Sequence, residues 1–438
     1  MSDPSTTFHV QPGGRLSGSL RVAGDKSVSH RSIIFGALAD GVTEIEGFLE
    51  GEDSLATLRA FRAMGVNIDG PEAGRVRIQG VGIDGLRRPV GALDLGNSGT
   101  SMRLLAGLLA GQSFDTVLTG DASLSSRPMQ RVTVPLTAMG AAIDTTTPGT
   151  APLHIHGGQP LHGTHYAMPM ASAQVKSALL LAGLYAKGRT CVTEPAATRD
   201  HTERMLAGFG YPVERNGMTV CLEGGGRLTA TPVRIPADIS SAAFFLVGAA
   251  IAGGSNLLLE QVGINPTRTG VIDILRLMGA QIEVSNEREM GGEPVADLRV
   301  RSTGLRGVEI PEHLVPLAID EFPALFIAAA CAEGKTVLRG AEELRVKESD
   351  RIQVMADGLQ LLGIEARPTR DGIIITGGKL QGGRVHSHGD HRIAMAFAMA
   401  ALRSQAPVVI TDCANVATSF PDFVRLATTA GLALETLG

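Results

Sequence analysis

Met64-Gly65-Val66-Asn67-Ile68 closes an apolar helical run and opens an extended one. Glycine directly after such a run is a helix stop, because it alone enters the left-handed conformation without a Cβ clash. The same signature recurs at Met139-Gly140-Ala141-Ala142-Ile143, Phe209-Gly210-Tyr211-Pro212-Val213 and Met278-Gly279-Ala280-Gln281-Ile282. It appears twice more, at Leu362-Gly363-Ile364-Glu365-Ala366 and Ala430-Gly431-Leu432-Ala433-Leu434. Six helix stops of one form imply six copies of one supersecondary unit.

A turn and a strand precede each of those helices, as in Gly41-Val-Thr-Glu-Ile45 and Gly334-Lys-Thr-Val-Leu338. Upstream of each strand is an Ala/Leu-rich segment, apolar nearly all round, such as Ser177-Ala-Leu-Leu-Leu-Ala-Gly-Leu184. A helix without a polar face is a buried one. Extended runs open the copies near residues 8, 75, 152, 218, 297 and 372, so that six copies tile the chain. Each copy reads strand, strand, buried helix, strand, amphipathic helix, strand. That is too long for a leucine-rich or ankyrin solenoid. Three copies make a domain of ordinary size, which predicts two domains. Pro232 to Asp238 is the predicted hinge; which domain takes the first strand is open at this level.

Composition narrows the function. Hydrophobic residues make up 44% of 438, with 55 Gly, no Trp and 4% aromatics, which suits close helix-on-sheet packing. Net charge is −5, without the basic stripe that nucleic-acid binding needs. An anionic ligand must therefore be held by local cations. Cys191, Cys221, Cys331 and Cys413 lack metal or redox spacing, and buried reduced thiols are expected. The opening Met1 to Val10 has no signal-peptide pattern, and the longest apolar stretch, Ala242 to Gly254, is too short to span a bilayer. A soluble, cytoplasmic protein with no membrane partner is expected.

Polar residues collect at the starts of the six buried helices. These are Gly24-Asp-Lys-Ser-Val-Ser-His-Arg31, Gly96-Asn-Ser-Gly-Thr-Ser-Met-Arg103, Met170-Ala-Ser-Ala-Gln-Val-Lys176, Ala237-Asp-Ile-Ser-Ser241, Ile319-Asp-Glu-Phe322 and Gly389-Asp-His-Arg392. Helix N-termini present free N–H groups and partial positive charge, so anions bind there. Ordinary capping competes as an explanation and suffices for Asp238 and Ser240. It does not account for Lys26, Ser27 and Arg31 together, since cations oppose the dipole in a first turn. Arg127 lies on the loop Asp121 to Met129. Lys347, Glu348 and Arg351 form a second basic cluster, which taken alone reads as an ion-paired surface helix with Lys347 and Arg351 on one face. His386 and His388 alternate along a presumed strand and invite a metal reading, but Asp390, His391 and Arg392 are the better candidates there. His154 and His156 read as strand residues only.

Taken as a set, Asp25-Lys-Ser-Val-Ser-His-Arg31, Leu95-Gly-Asn-Ser-Gly-Thr100, Arg127-Pro128, Ser172-Ala-Gln174, Asp320-Glu321, Arg345 to Arg351 and Asp390-His-Arg392 closely resemble the EPSP synthase family of enolpyruvyl transferases. The resemblance runs in order along essentially the whole chain. It implies a two-domain inverse α/β barrel of six repeated units, three per domain. Residues 23–236 would form the N-terminal domain, and 1–22 plus 237–438 the C-terminal one, with hinges near 22–24 and 235–238. It implies transfer of the enolpyruvyl group of phosphoenolpyruvate to the 5-hydroxyl of shikimate 3-phosphate, by addition then elimination, in aromatic amino-acid synthesis through chorismate. No cofactor or metal is implied, and the partners are the two small substrates of a monomer.

Residue by residue, the resemblance assigns phosphoenolpyruvate to Lys26, Gly99, Arg127, Gln174, Arg351 and Arg392. Shikimate 3-phosphate falls to Lys26, Ser27, Arg31, Ser172, Ala173, Gln174, Arg199, Asp320 and Lys347. Asp320 would be the general base, with Lys26 and Glu348 moving protons at C3. Gly99 is the small residue whose replacement by Ala crowds the inhibitor glyphosate in that family. Ala23, Ala173 and Ser419 depart from its common pattern, the last lacking a Lys just before Phe420-Pro421. Alternatives are the sister UDP-N-acetylglucosamine 1-carboxyvinyltransferase, a catalytically silent phosphometabolite-binding protein, or a repeat-built scaffold. The sister enzyme usually carries a Cys on the loop that here runs Asp121 to Arg127 without one. The silent protein would not need Lys26, Asp320 and Glu348 together.

Overall fold

The structure, a computed structural model, describes residues 6–437; the first five residues of the opening stretch lie outside it. The chain divides into two compact domains. The N-terminal domain holds Lys26–Ile235 and Met290–Glu293, and the C-terminal domain holds residues up to Asp25, Pro236–Glu289 and everything from Pro294 on. The chain thus changes domain between Asp25 and Lys26 and between Ile235 and Pro236. The short excursion Met290–Glu293 is the tip of a hairpin between strands Gln281–Met290 and Glu293–Arg301, turned by Gly291 and Gly292 at φ 58° and 79°. Residue patterning gave no sign of that excursion.

The N-terminal domain contains α1 (Lys26–Leu38), α2 (Glu52–Ala63), α3 (Gly99–Ala110), α4 (Ala122–Ser125), α5 (Gln130–Ala138), α6 (Ala173–Gly183) and α7 (His201–Gly208). Three four-stranded sheets cover them, and all are built alike. In the sheet of 93–94, 116–119, 153–156 and 142–144, the edge strand runs parallel to its neighbour and the other pairs are antiparallel. The sheets of 165–223 and of 42–79 with edge strand 233–234 repeat this order.

The C-terminal domain contains α8 (Ile239–Ile251), α9 (Gly270–Leu277), α10 (Phe322–Ala330), α11 (Arg351–Leu361), α12 (His391–Ala400), α13 (Val416–Ser419) and α14 (Phe423–Ala430). Strand Thr7–Val10 lies between 408–411 and 434–437, and strand Ser17–Leu20 runs parallel to Asn256–Gly263. The remaining sheet has strands 335–338, 373–376 and 365–368, and Glu309 bridges Val337 in the edge position.

These pairings shift the frame of the repeat by one strand. The run taken to open each copy is hydrogen-bonded as the last strand of the preceding one: Arg75–Gln79 pairs with 42–46 and 67–72. The order is strand, helix, strand, helix, strand, strand. A periodic pattern has no intrinsic starting point, so only the hydrogen bonds could set the frame.

The six predicted helix stops all take positive φ: Gly65 at 88°, Gly140 at 101°, Gly210 at 78°, Gly279 at 97°, Gly363 at 85° and Gly431 at 118°. Helices α1, α3, α6, α8, α10 and α12 fill the interiors, and every residue of α8 is buried. Each domain therefore has helices inside and sheets outside, the inverse α/β barrel. Packing of α3 on α6 is backbone-close: a Cβ on Gly107 would lie 2.0 Å from the Ala178 carbonyl oxygen.

The expectation of four reduced thiols does not hold. Cys191 and Cys221 form a disulfide, with Cα atoms 4.1 Å apart on directly opposed residues of neighbouring antiparallel strands. They are 30 residues apart in sequence, so spacing could not announce the pairing. Cys331 and Cys413 are free. Among the described residues no helix is long and apolar enough to cross a membrane.

Candidate active site

In the N-terminal domain, helix starts deliver a polar cluster. Lys26 is the first residue of α1, and its Nζ lies 3.0 Å from Asp53 of α2. One turn on, buried Arg31 donates to Thr202 Oγ1 and Ser177 Oγ, both at 2.7 Å, and to the Ser27 carbonyl at 2.9 Å. Ser98 caps α3 by accepting from the Ser101 N–H, which places Gly99 in the first turn. Arg127, 7% exposed, follows α4 and donates to Asn97 Oδ1 at 2.6 Å and Ser123 Oγ at 3.1 Å. Ser172 caps α6, with Ala173 and Gln174 next. Gln174 accepts from Arg103 at 2.6 Å and donates to Thr100 at 3.0 Å, joining α3 to α6.

Arg199 sits half-buried in the loop before α7. That loop is tethered by Thr198, which donates to Glu194, itself 2.9 Å from the fully buried Lys176 ammonium. Glu203 lies 2.7 Å from the same ammonium.

In the C-terminal domain the candidates converge on one guanidinium. Arg351, 1% exposed, donates to Asp390 at 2.8 Å, Glu348 at 2.6 Å and Asp320 at 3.3 Å. Burial alone would lower its proton affinity, but Asp390, Glu348 and Asp320 outweigh burial and push it above the ordinary arginine value. The Asp320 carboxylate also has Lys347 at 3.8 Å and Arg392 at 3.9 Å. Arg392 further donates to the Asp320 carbonyl at 3.1 Å, and Asp390 caps α12 through the Arg392 N–H.

Some sequence expectations need correction. Lys347 and Arg351 do not share a helix: Lys347 is extended, and α11 begins at Arg351. Asp350 caps that helix, and so ends it before Lys347. His386 and His388 do not alternate along one strand, since the strand ends at His386 and His388 turns with φ 54°. Among the described residues no group of three or more His, Cys, Asp or Glu could hold a metal. Asp238 does cap α8, as capping alone predicted, but Asp238 and Ser240 also take hydrogen bonds from Arg268. Ser419, where a Lys was absent, ends α13 beside fully buried Phe420.

Asp53, Asn97, Arg103, Lys176 and Thr202 position the candidates and were not singled out from sequence. Asn97, Arg103 and Lys176 lie in the polar helix starts, and the two cations among them were the available signal.

A family model described as EPSP synthase (3-phosphoshikimate 1-carboxyvinyltransferase) matches residues 10–426. The 3-phosphoshikimate 1-carboxyvinyltransferase of Nitrosococcus oceani is 72% identical over 435 residues, covering 99% of this chain and 98% of its own. The chain belongs to the EPSP synthase family. The like-named protein of Alkalilimnicola ehrlichii is 73% identical over 428 residues, 98% of this chain and 96% of its own. A solved EPSP synthase from Acinetobacter baumannii superposes with a TM-score of 0.89 at 60% identity, covering 99% of this chain and all of that one. The enolpyruvyl transferase NikO of Streptomyces tendae, 18% identical with a TM-score of 0.79, shares the fold. As an EPSP synthase family member the chain is an enolpyruvyl transferase of aromatic amino-acid synthesis, and these matches favour that activity over the UDP-N-acetylglucosamine alternative.

Proposed function

We propose that the two polar clusters carry the family reaction with the following division of labour. Phosphoenolpyruvate and shikimate 3-phosphate each bring a phosphate and a carboxylate, and guanidinium forks suit both groups. Arg127, Arg351 and Arg392, with Lys26, Gly99 and Gln174, take phosphoenolpyruvate. Ser27, Arg31, Ser172, Ala173, Arg199 and Lys347 take shikimate 3-phosphate, along with Lys26, Gln174 and Asp320. Asp320 accepts the 5-hydroxyl proton as that oxygen bonds to C2 of phosphoenolpyruvate and C3 gains a proton. Phosphate then leaves C2 and C3 gives up a proton, with Lys26 and Glu348 as the exchanging groups. The observation that supports this most is the Asp320 carboxylate, an acceptor set among three cations within 4 Å. The same proposal has the chain act in the cytoplasm as a monomer without a cofactor.

Phosphate release from phosphoenolpyruvate tests the acceptor. Release is expected with shikimate 3-phosphate and not with UDP-N-acetylglucosamine; the reverse pattern would move the chain to the sister activity.

Gly99 tests the phosphoenolpyruvate assignment. A Cβ there would lie 3.0 Å from Arg103 Nη1 and 3.2 Å from Arg127 Nη1, so both guanidiniums must give way by tenths of an ångström. Gly99→Ala should weaken glyphosate, the longer molecule, more than phosphoenolpyruvate. Inhibition and KM measured side by side check this, and equal loss of both contradicts the steric account.

A further inference from the structure

Arg268 belongs to none of the groups above, yet it is 3% exposed and placed on the loop just ahead of α9. Its Nη1 donates to Asp25 at 3.0 Å. Its Nη2 donates to Asp238 at 3.2 Å and to Ser240 Oγ at 2.7 Å, and Glu321 lies 3.7 Å away. Burial would lower the proton affinity of this guanidinium, but Asp25, Asp238, Glu321 and Asp320 outweigh burial and raise it.

The partners are not random. Asp25 is the last residue of the C-terminal domain before the chain passes to Lys26, and Pro236 is the first after it returns. The two passages are bonded to each other: the Asp25 N–H donates to the Pro236 carbonyl at 2.8 Å, and the Asp238 N–H to the Ala23 carbonyl at 2.9 Å. Gly24 and Ala237 form an antiparallel bridge between them. Arg268 therefore clamps both passages with one planar fork, and 3.7 Å from it stands Glu321, the residue next to Asp320. A fork bonded at both ends fixes direction as well as distance, which a single ammonium cannot do.

We propose that Arg268 is a positioning residue for the reaction, fixing the backbone from which Lys26 departs and the turn that carries Asp320. This rests on the roles proposed above for Lys26 and Asp320. Small displacements of reacting groups cost far more in rate than in binding, so kcat is the quantity that should respond.

The test is steady-state kinetics of Arg268→Lys, Asp25→Asn and the double variant, with the folded fraction of each followed by circular dichroism. Arg268→Lys keeps the charge but loses the fork. It should lower kcat by roughly 10- to 100-fold with little change in KM for shikimate 3-phosphate. Asp25→Asn should act in the same direction, and the double variant should be no slower than the slower single one, because both remove one clamp. Wild-type kcat in well-folded variants, or losses that multiply in the double variant, would overturn the proposal. If Arg268→Lys does not fold, Asp25→Asn decides alone: an unchanged kcat overturns it and a selective fall in kcat upholds it. Inactivity of the wild-type chain with shikimate 3-phosphate would instead count against the functional reading.

Discussion

Asp320→Asn should cut kcat by about 10²- to 10⁴-fold, the usual contribution of a general base, while KM for both substrates moves far less. The amide keeps the shape of the carboxylate and can still accept a hydrogen bond from Arg351, now 3.3 Å away, or from Lys347. What it loses is the capacity to take the 5-hydroxyl proton. Binding survives because the remaining cations, Arg351, Arg392 and Lys347, stay in place. A variant with near-normal kcat would remove Asp320 from the chemistry. A variant with raised KM and intact kcat would make it a binding group alone.

The second large effect is on stability. Lys176→Met should destabilise the N-terminal domain by about 3–5 kcal/mol, the cost of breaking a buried ion pair by removing one partner. Lys176 is fully buried and lies 2.9 Å from Glu194 and 2.7 Å from Glu203. Methionine fills the space but leaves two buried carboxylates facing each other without their cation. The chain offers a clean probe. It has no Trp, and its three Tyr, at 166, 185 and 211, all belong to this domain. Tyrosine fluorescence during urea unfolding therefore reports on this domain. Its midpoint should fall markedly, and an unchanged midpoint would show that the pair is not worth its burial. Because Glu194 also holds Thr198, the loop of Arg199 should loosen, and KM for shikimate 3-phosphate should rise at denaturant levels that leave the domain folded.

Local signals carried well from sequence to structure, and distant ones did not. A glycine after an apolar helical run has few alternatives, which is why Gly65 and its five counterparts all proved left-handed. Buried helices announced themselves by lacking a polar face, as α8 shows. The frame of the repeat was not visible, because strand pairing is a long-range property: Thr7–Val10 joins strands more than four hundred residues away in part. Site residues within motifs were visible as unusual cations at helix starts. Their partners were not. Ser177 and Thr202 around Arg31, Asp53 beside Lys26, and Asp25 on Arg268 are common residue types whose meaning comes only from proximity. The Cys191–Cys221 pairing was hidden for the same reason.

Enolpyruvyl transfer to shikimate 3-phosphate by addition and elimination leaves an isotopic record at C3. Mass spectrometry of the product formed in deuterium oxide reads that record. Addition brings a solvent proton to C3 and makes a transient methyl group, from which elimination removes one hydrogen. The expected product is 5-enolpyruvylshikimate 3-phosphate carrying solvent deuterium at C3, with phosphate released in equal amount. Phosphate released with no enolpyruvyl product, or a product free of deuterium, would contradict it.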